Sequence, residues 1–140
     1  MIILDTNVIS ELMRPKPSTR VVAWVRAQPA TELFTTSISE AEIFYGIELL
    51  ASGKRRDALV QAADAMFVED FAGRILGFDS EAARSFSRIA VQRRALGRPV
   101  SHADAQIAAI AQVRSAKLAT RNTADFADCN VGLIDPWSAT

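Results

Sequence analysis

A chain of 140 residues with 49% hydrophobic and 23% charged side chains can bury a core without disulfides or structural metal. Its composition is that of one ordinary globular domain, which excludes a disordered or fibrous protein. The 16 Lys and Arg are cancelled by 16 Asp and Glu, so there is no strong basic field to attract nucleic acid, and any such contact must come from local patches such as Lys54-Arg55-Arg56 or Arg93-Arg94 with Arg98. One cysteine, Cys129, and one histidine, His102, exclude an internal disulfide, a Cys-based zinc site, a His-rich metal site and any mechanism needing two imidazoles.

The chain opens Met1-Ile2-Ile3-Leu4-Asp5 with no basic n-region, and no apolar stretch approaches the roughly 18 residues of a membrane span. A cytoplasmic protein, neither exported nor inserted, is expected. Ile2-Ile3-Leu4 stops abruptly at Asp5-Thr6-Asn7, as a buried parallel strand does where it meets its loop. Val21, Val22, Trp24 and Val25, after Pro17 and Ser18, predict a short helix ending near Gln28-Pro29. Leu33 to Ile38 is rich in β-formers and predicts a second strand that stops at Ser39. From there Ile43, Phe44, Ile47 and Leu50 recur at helical spacing as far as Ser52-Gly53, and Leu59, Ala62, Ala63 and Met66 mark another helix.

Ile75-Leu76-Gly77-Phe78 reads as a strand, and Ala83, Phe86, Ile89, Ala90 and Arg93 as a helix that closes at Gly97. Ser101 opens an Ala-rich helix carrying Ile107, Ile110 and Ala111. Leu118-Ala119-Thr120 and Val131-Gly132-Leu133-Ile134 complete the strands. Alternating strands and helices predict an α/β protein, an α/β/α sandwich with a central parallel sheet, in which ligands bind beyond the carboxyl ends of the strands. Phe71, Phe78, Phe86 and Trp137 are expected in the core or capping it, and His102 on an exposed first turn. Trp24 with Val21, Val22 and Val25, alongside Leu49-Leu50, provides either core packing or a groove for a partner helix.

Ser39-Glu40-Ala41-Glu42, Ser101-His102-Ala103-Asp104 and Asn122-Thr123-Ala124-Asp125 each put a capping residue three positions before an acid, a pattern that helix starts favour whatever the function. In a parallel sheet, however, helix starts lie at the edge where Asp5 emerges. Four acids then converge, and clustered carboxylates repel one another unless a cation neutralises them. A hard divalent ion suits such oxygen donors, can activate water and can stabilise charge on a phosphoryl oxygen.

Leu4-Asp5-Thr6-Asn7, the Ser39-x-x-Glu42 helix start, Asp104 within Ala103-Asp104-Ala105-Gln106-Ile107-Ala108, and Thr120-Arg121-Asn122-Thr123-Ala124-Asp125-Phe126 resemble the successive motifs of PIN domains. The chain is most similar to the toxin subunits of VapBC-type modules and the related FitB proteins, from Met1 to Asp135-Pro136-Trp137. The resemblance implies an Mg²⁺- or Mn²⁺-dependent endoribonuclease that forms a homodimer and is silenced by a cognate antitoxin, itself a binder of operator DNA. It assigns the catalytic acids to Asp5, Glu42, Asp104 and Asp125, with Asp5 and Asp104 on the metal and Glu42 either binding it through water or positioning the attacking water. Thr6, Asn7, Thr120 and Asn122 would orient these ligands.

Several relatives carry Asp where this chain has Asn122, so Asp125 is a direct ligand, a water-mediated one, or only a cap. Two rival readings remain. A phosphatase using Asp5 as nucleophile would need a second Asp where the chain has Asn7. A catalytically silent PIN-like binding or scaffold subunit fits the Asn122 departure.

Overall fold

The structure, a computed structural model, describes residues 1–139. Five strands, β1 (Ile2–Leu4), β2 (Leu33–Thr36), β3 (Ile75–Leu76), β4 (Lys117–Ala119) and β5 (Leu133–Ile134), form one sheet in the order β3-β2-β1-β4-β5. All four pairings are parallel, with Ile3 opposite Phe34 on one side and Leu118 on the other. The helices are α1 (Thr6–Leu12), α2 (Thr19–Arg26), α3 (Ser37–Glu48), α4 (Lys54–Asp64), α5 (Ser80–Ala95) and α6 (His102–Val113). This is the expected α/β/α sandwich with a central parallel sheet.

Strand alternation divides the core between the two faces of the sheet. Ile3, Leu76 and Leu118 pack with Ile89 of α5 and Ile107 and Ile110 of α6. Leu4, Leu33 and Ala119 pack on the other face with Val8 and Ile9 of α1, Val21 of α2, Ile43 and Ile47 of α3 and Ala63 of α4. Phe71 is buried, while Phe78, Phe86 and Trp137 are half-buried against these clusters. Val21 is fully buried, and Trp24 and Val25 pack against the same core. The α2 stripe is therefore mainly core.

Several boundaries differ from the sequence expectation. Asp5-Thr6-Asn7 is the start of a helix, not a loop: Asp5 is the N-cap of α1, its carboxylate accepting from the Thr6 amide at 2.8 Å. The polar opening of α1 hid its Val8, Ile9 and Leu12 face. β2 ends at Thr36, and Thr36, not Ser39, caps α3 by accepting from the Ser39 amide at 3.1 Å. Ser39 is thus already inside the helix. The third capping pattern also fails, since Asn122 makes no side-chain cap to the 3-10 turn Thr123–Phe126. Only Ser101 caps as expected, accepting from the Asp104 amide at 3.2 Å.

The topology puts a switch point beside the central strand. From β1 the chain moves outward through β2 to β3, then returns across the sheet to β4 on the other side of β1. Where strand order reverses, the connections at the carboxyl ends diverge and leave a crevice. Asp5 follows β1 and Thr120 follows β4 at that crevice, and the ladder continues into the loops through the Asp5 amide donating to the Ala119 carbonyl at 2.9 Å. No helix among the described residues is long and apolar enough to cross a membrane.

Candidate active site

The crevice opens into a cavity of about 490 Å³ whose walls include Asp5, Glu42 and Asp104. Each arrives from a different element: Asp5 from the end of β1, Glu42 from the second turn of α3, and Asp104 from the first turn of α6. Asn122 also lines the cavity, but Asp125 does not, although both belong to the segment after β4. Asp125 is exposed nearby, close enough for its charge to raise the pKa of Asp104.

Asp5 is 5% exposed, and both of its oxygens are anchored. Oδ1 accepts from the Thr6 amide at 2.8 Å and Oδ2 from the Thr120 hydroxyl at 2.8 Å. Thr120 is itself saturated, its Oγ1 accepting from Asn7 Nδ2 at 3.2 Å and from the Asn122 amide at 3.1 Å. Asn7 Oδ1 in turn accepts from the Arg121 amide at 3.3 Å. A chain of hydrogen bonds thus ties the turn after β1 to the turn after β4 and sets the direction of the Asp5 carboxylate.

Glu42 is held from the same turn. The Thr6 hydroxyl lies 2.7 Å from Glu42 Oε1 and 2.9 Å from Ser39 Oγ. Its single proton serves the carboxylate, which can only accept, so Ser39 is left as donor to Thr6. Ser39 is fully buried beneath this contact, and that is the place the sequence pattern had reserved for a cap. Thr6 therefore connects α1 to α3 across the cavity.

The electrostatics match the crowding. Burial pushes the Asp5 pKa from 3.8 up to about 6, opposed by the bonds from Thr120 and Thr6 and reinforced by the charges of Asp104 and Glu42. Burial also raises Asp104, which the Ser101 hydroxyl lowers again; Asp125 and Glu42 push it up, and the Arg93 guanidinium pulls it down. The donors that face the cavity are hard carboxylate oxygens, the class that Mg²⁺ or Mn²⁺ takes and that soft-metal sites avoid. By donor chemistry and mutual repulsion, Asp5, Glu42 and Asp104 fit such an ion. Among the described residues, however, no three acid, imidazole or thiol groups already stand within coordinating distance of a common point.

Ser10, Glu11, Arg14, Arg121 and Trp137 also line the cavity and were not singled out from the sequence as functional. Arg14 is 65% exposed and pairs with Glu11 at 3.3 Å, and the Arg121 guanidinium lies 5.0 Å over the ring of Trp137. Trp137, expected as a core cap, does pack half-buried against the core around Leu4 and Val8, and it lines the cavity as well. The position of Arg121 directly after Thr120 was the available signal, whereas nothing in the sequence marks Arg14.

The basic runs read from the sequence lie elsewhere. Arg56 pairs with Glu48 at 3.0 Å, Arg55 lines an apolar cavity between α1, α3 and α4, and Arg93 is buried. His102 is exposed on the first turn of α6, edge-on to Phe86 at 5.6 Å.

A family model described as PIN domain matches residues 2–130. The chain is 39% identical to the toxin FitB of Neisseria gonorrhoeae, over 98% of this chain and 99% of FitB. It is 37% identical to the VapC ribonuclease Y4jK of Sinorhizobium fredii, over 98% of each. A solved structure of FitAB bound to an IR36 DNA fragment superposes with a TM-score of 0.92 at 38% identity, covering 100% of this chain and 98% of that one.

The raised Asp5 pKa carries a stability consequence in the absence of divalent ions. A carboxyl whose folded pKa exceeds its unfolded one favours folding below the unfolded value and loses that contribution as pH rises through the folded value. For Asp5 that window runs from 3.8 to about 6, and the shift corresponds to a cost on the order of 3 kcal/mol at neutral pH. In EDTA, Asp5→Asn should therefore gain stability relative to the parent between pH 4 and 7. Urea midpoints measured across that range check it, and a difference independent of pH would contradict it.

Proposed function

This chain belongs to the PIN-domain family, and we propose that it is a Mg²⁺- or Mn²⁺-dependent endoribonuclease of the cytoplasm, the toxin subunit of a toxin–antitoxin module. The observation that carries the reading is the convergence of Asp5, Glu42 and Asp104 on one open cavity at the switch point of the sheet, two of them with raised pKa values. The FitB toxin and the VapC ribonuclease, similar along nearly their whole lengths, support the activity class and the biological role.

Asp5 and Asp104 would hold the ion, with Glu42 beside it. The chemistry that such an ion supplies is neutralisation of clustered carboxylates, activation of water and stabilisation of charge on a phosphoryl oxygen. The chain's own residues do the positioning. Thr120 and the Thr6 amide fix the two oxygens of Asp5, and the Thr6 hydroxyl fixes one oxygen of Glu42, leaving the other to orient the attacking water and take its proton. Water adds to phosphorus in line, the bond from phosphorus to O3′ breaks, and the leaving oxygen takes a proton. The products are a 5′-phosphate and a 3′-hydroxyl.

Asp125 is the fourth acid of this proposal and acts on Asp104 from outside the cavity wall, while Asn122 and Asn7 keep the wall polar. Arg14 and Arg121 are the cations that line the cavity and would receive the phosphates flanking the scissile one.

The silencing partner is an antitoxin, and through it operator DNA, in line with the DNA-bound FitAB assembly; a homodimer is the expected form of the toxin itself. The apolar cavity between α1, α3 and α4, lined by Met13, Ile43, Ile47, Leu50 and Leu59, suits an antitoxin segment because it shares Ser10 and Arg14 with the acidic cavity. An occupant of the one reaches the rim of the other. The competing reading, a catalytically silent PIN-like subunit, draws on the finding that no group of three or more Asp, Glu, His or Cys side chains among the described residues is placed to hold a metal ion.

The test is cleavage of a mixed structured RNA pool by the partner-free protein in Mn²⁺ or in EDTA, with Asp104→Asn as control. Metal-dependent cutting is expected, reduced in the variant by more than about 100-fold, beyond the loss typical of a residue that only orients a ligand. Products ending in a 2′,3′-cyclic phosphate would contradict the mechanism, and metal binding without cutting of any RNA would favour the silent subunit.

Arg121→Ala should raise KM for a single-stranded substrate with little change in kcat. It should also flatten the plot of log affinity against log salt by about 0.7, the value of one phosphate contact on a single strand. An unchanged slope would remove Arg121 from the phosphate track.

A further inference from the structure

Arg93 is the buried charge that the site leaves unused. It occupies the last turn of α5 and is 4% exposed, although with Arg94 and Arg98 it was a candidate basic patch for nucleic acid. Its guanidinium is taken up by the segment after β4. Nη1 donates to the Asp125 carbonyl at 2.7 Å and the Ala127 carbonyl at 2.9 Å, and lies 3.7 Å from Cys129 Sγ, while Nε donates to the Arg98 carbonyl at 2.7 Å. Among the described residues Arg93 makes no ion pair.

A buried cation without a carboxylate contact is costly unless dipoles and nearby charge offset it. The carbonyls it binds, the negative end of α5 and the acid cluster all contribute. The guanidinium is close enough to Asp104 to draw its pKa down.

The segment that Arg93 grips has little local structure to hold it. The 3-10 turn Thr123–Phe126 lacks a side-chain cap, and after it Asp128 and Asn130 take the left-handed φ of 59° and 56° that Asp and Asn tolerate better than most side chains. Phe126 and Cys129 are its buried anchors, and Arg98 with Asp128 adds an ion pair at the surface. Turn bonds within the segment and the Asn122 amide on Thr120 add to these, and Arg93 supplies the side-chain bonds that tie the segment to α5.

We propose that Arg93 is a positioning residue for the acidic site. By tying the backbone at Asp125 and Ala127 to the end of α5, it fixes Asn122 and Asp125 beside Asp104 and supplies a permanent positive charge behind the acids. The inference rests on the metal-dependent nuclease reading, because it gives the segment a task that only a metal-binding site requires.

The experiment compares the full chain with Arg93→Met, which keeps the apolar bulk, and Arg93→Lys, which keeps the charge but not the planar fork of donors. The readouts are Mn²⁺ affinity by electron paramagnetic resonance without RNA, the labelling rate of Cys129, the only thiol in the chain, and kcat and KM for RNA. Arg93→Met should fold cooperatively, bind Mn²⁺ about tenfold more weakly, expose Cys129 to labelling about tenfold faster and lose kcat with KM nearly kept, with Arg93→Lys intermediate.

Mn²⁺ affinity and kcat within about twofold of the parent in a folded Arg93→Met would overturn the proposal, since a purely structural role predicts just that. If Arg93→Met does not fold, Arg93→Lys decides on the same readouts: weakened Mn²⁺ binding supports the proposal and parental binding overturns it. A parent chain that binds Mn²⁺ but cuts no RNA contradicts the nuclease reading alone and leaves the metal and thiol comparisons to judge Arg93. A parent that binds no Mn²⁺ overturns both.

Discussion

Asp5 stands where a carboxylate is hardest to ionise, at the end of the innermost strand, 5% exposed, with Asp104 and Glu42 on the walls of the same cavity. Burial pushes its pKa up and so works against the charged form that a ligand needs. The fold meets this constraint with donors, since the Thr120 hydroxyl and the Thr6 amide both favour the charged form, and with space, since the remaining lone pairs face an open cavity. The residual strain of a raised pKa is what a bound cation would relieve. The stability that the clustered charge costs is what binding a cation would recover, a common exchange at functional sites.

The surrounding structure follows from that one requirement. Thr6 and Thr120 can reach Asp5 because β1 and β4 are hydrogen-bonded neighbours whose chains leave the sheet together. They leave together because the order reverses at β1. Thr6 also reaches Glu42, so α1, a helix of 7 residues, registers α3 against the central strand. The small side chains of α6, with Ala105, Ala108, Ala109 and Ala111 all buried, allow it to pack close to the sheet and bring Asp104 to the crevice. Short elements suffice at the cavity because hydrogen bonds through Thr6 and Thr120 tie their ends together.

Much of this was legible in the sequence, though not always for the right reason. Ile2-Ile3-Leu4 ending at Asp5 marked both the central strand and the edge at which the cavity opens. Glu42 and Asp104 stood out as acids near helix starts, and both line the cavity. For Glu42 the capping grammar was mistaken, because Thr36 caps α3 and Ser39 is buried under Thr6. Asp125 and Asn122 were read as a capped helix start, but the turn is 3-10 and uncapped, held by a distant arginine.

Long-range contacts account for the misses. Helical spacing puts Arg93 on the face of Ile89 and Arg94 off it, but the carbonyls that make burial of Arg93 tolerable arrive only when the segment after β4 folds back against α5. Arg14 and Arg121 likewise become neighbours of the acids only through the sheet. By contrast, the two-faced strands and the Ala-rich helix were readable because their periodicity is local.

The most direct test of the central claim, that Asp5, Glu42 and Asp104 form a site for a divalent ion, is anomalous diffraction from crystals of the partner-free protein soaked in Mn²⁺. The account predicts a peak in the cavity at about 2 Å from carboxylate oxygens of Asp5 and Asp104, lost in Asp5→Asn crystals. No peak in the cavity of an ordered, Mn²⁺-soaked crystal, or a peak that persists there without the Asp5 carboxylate, would contradict it.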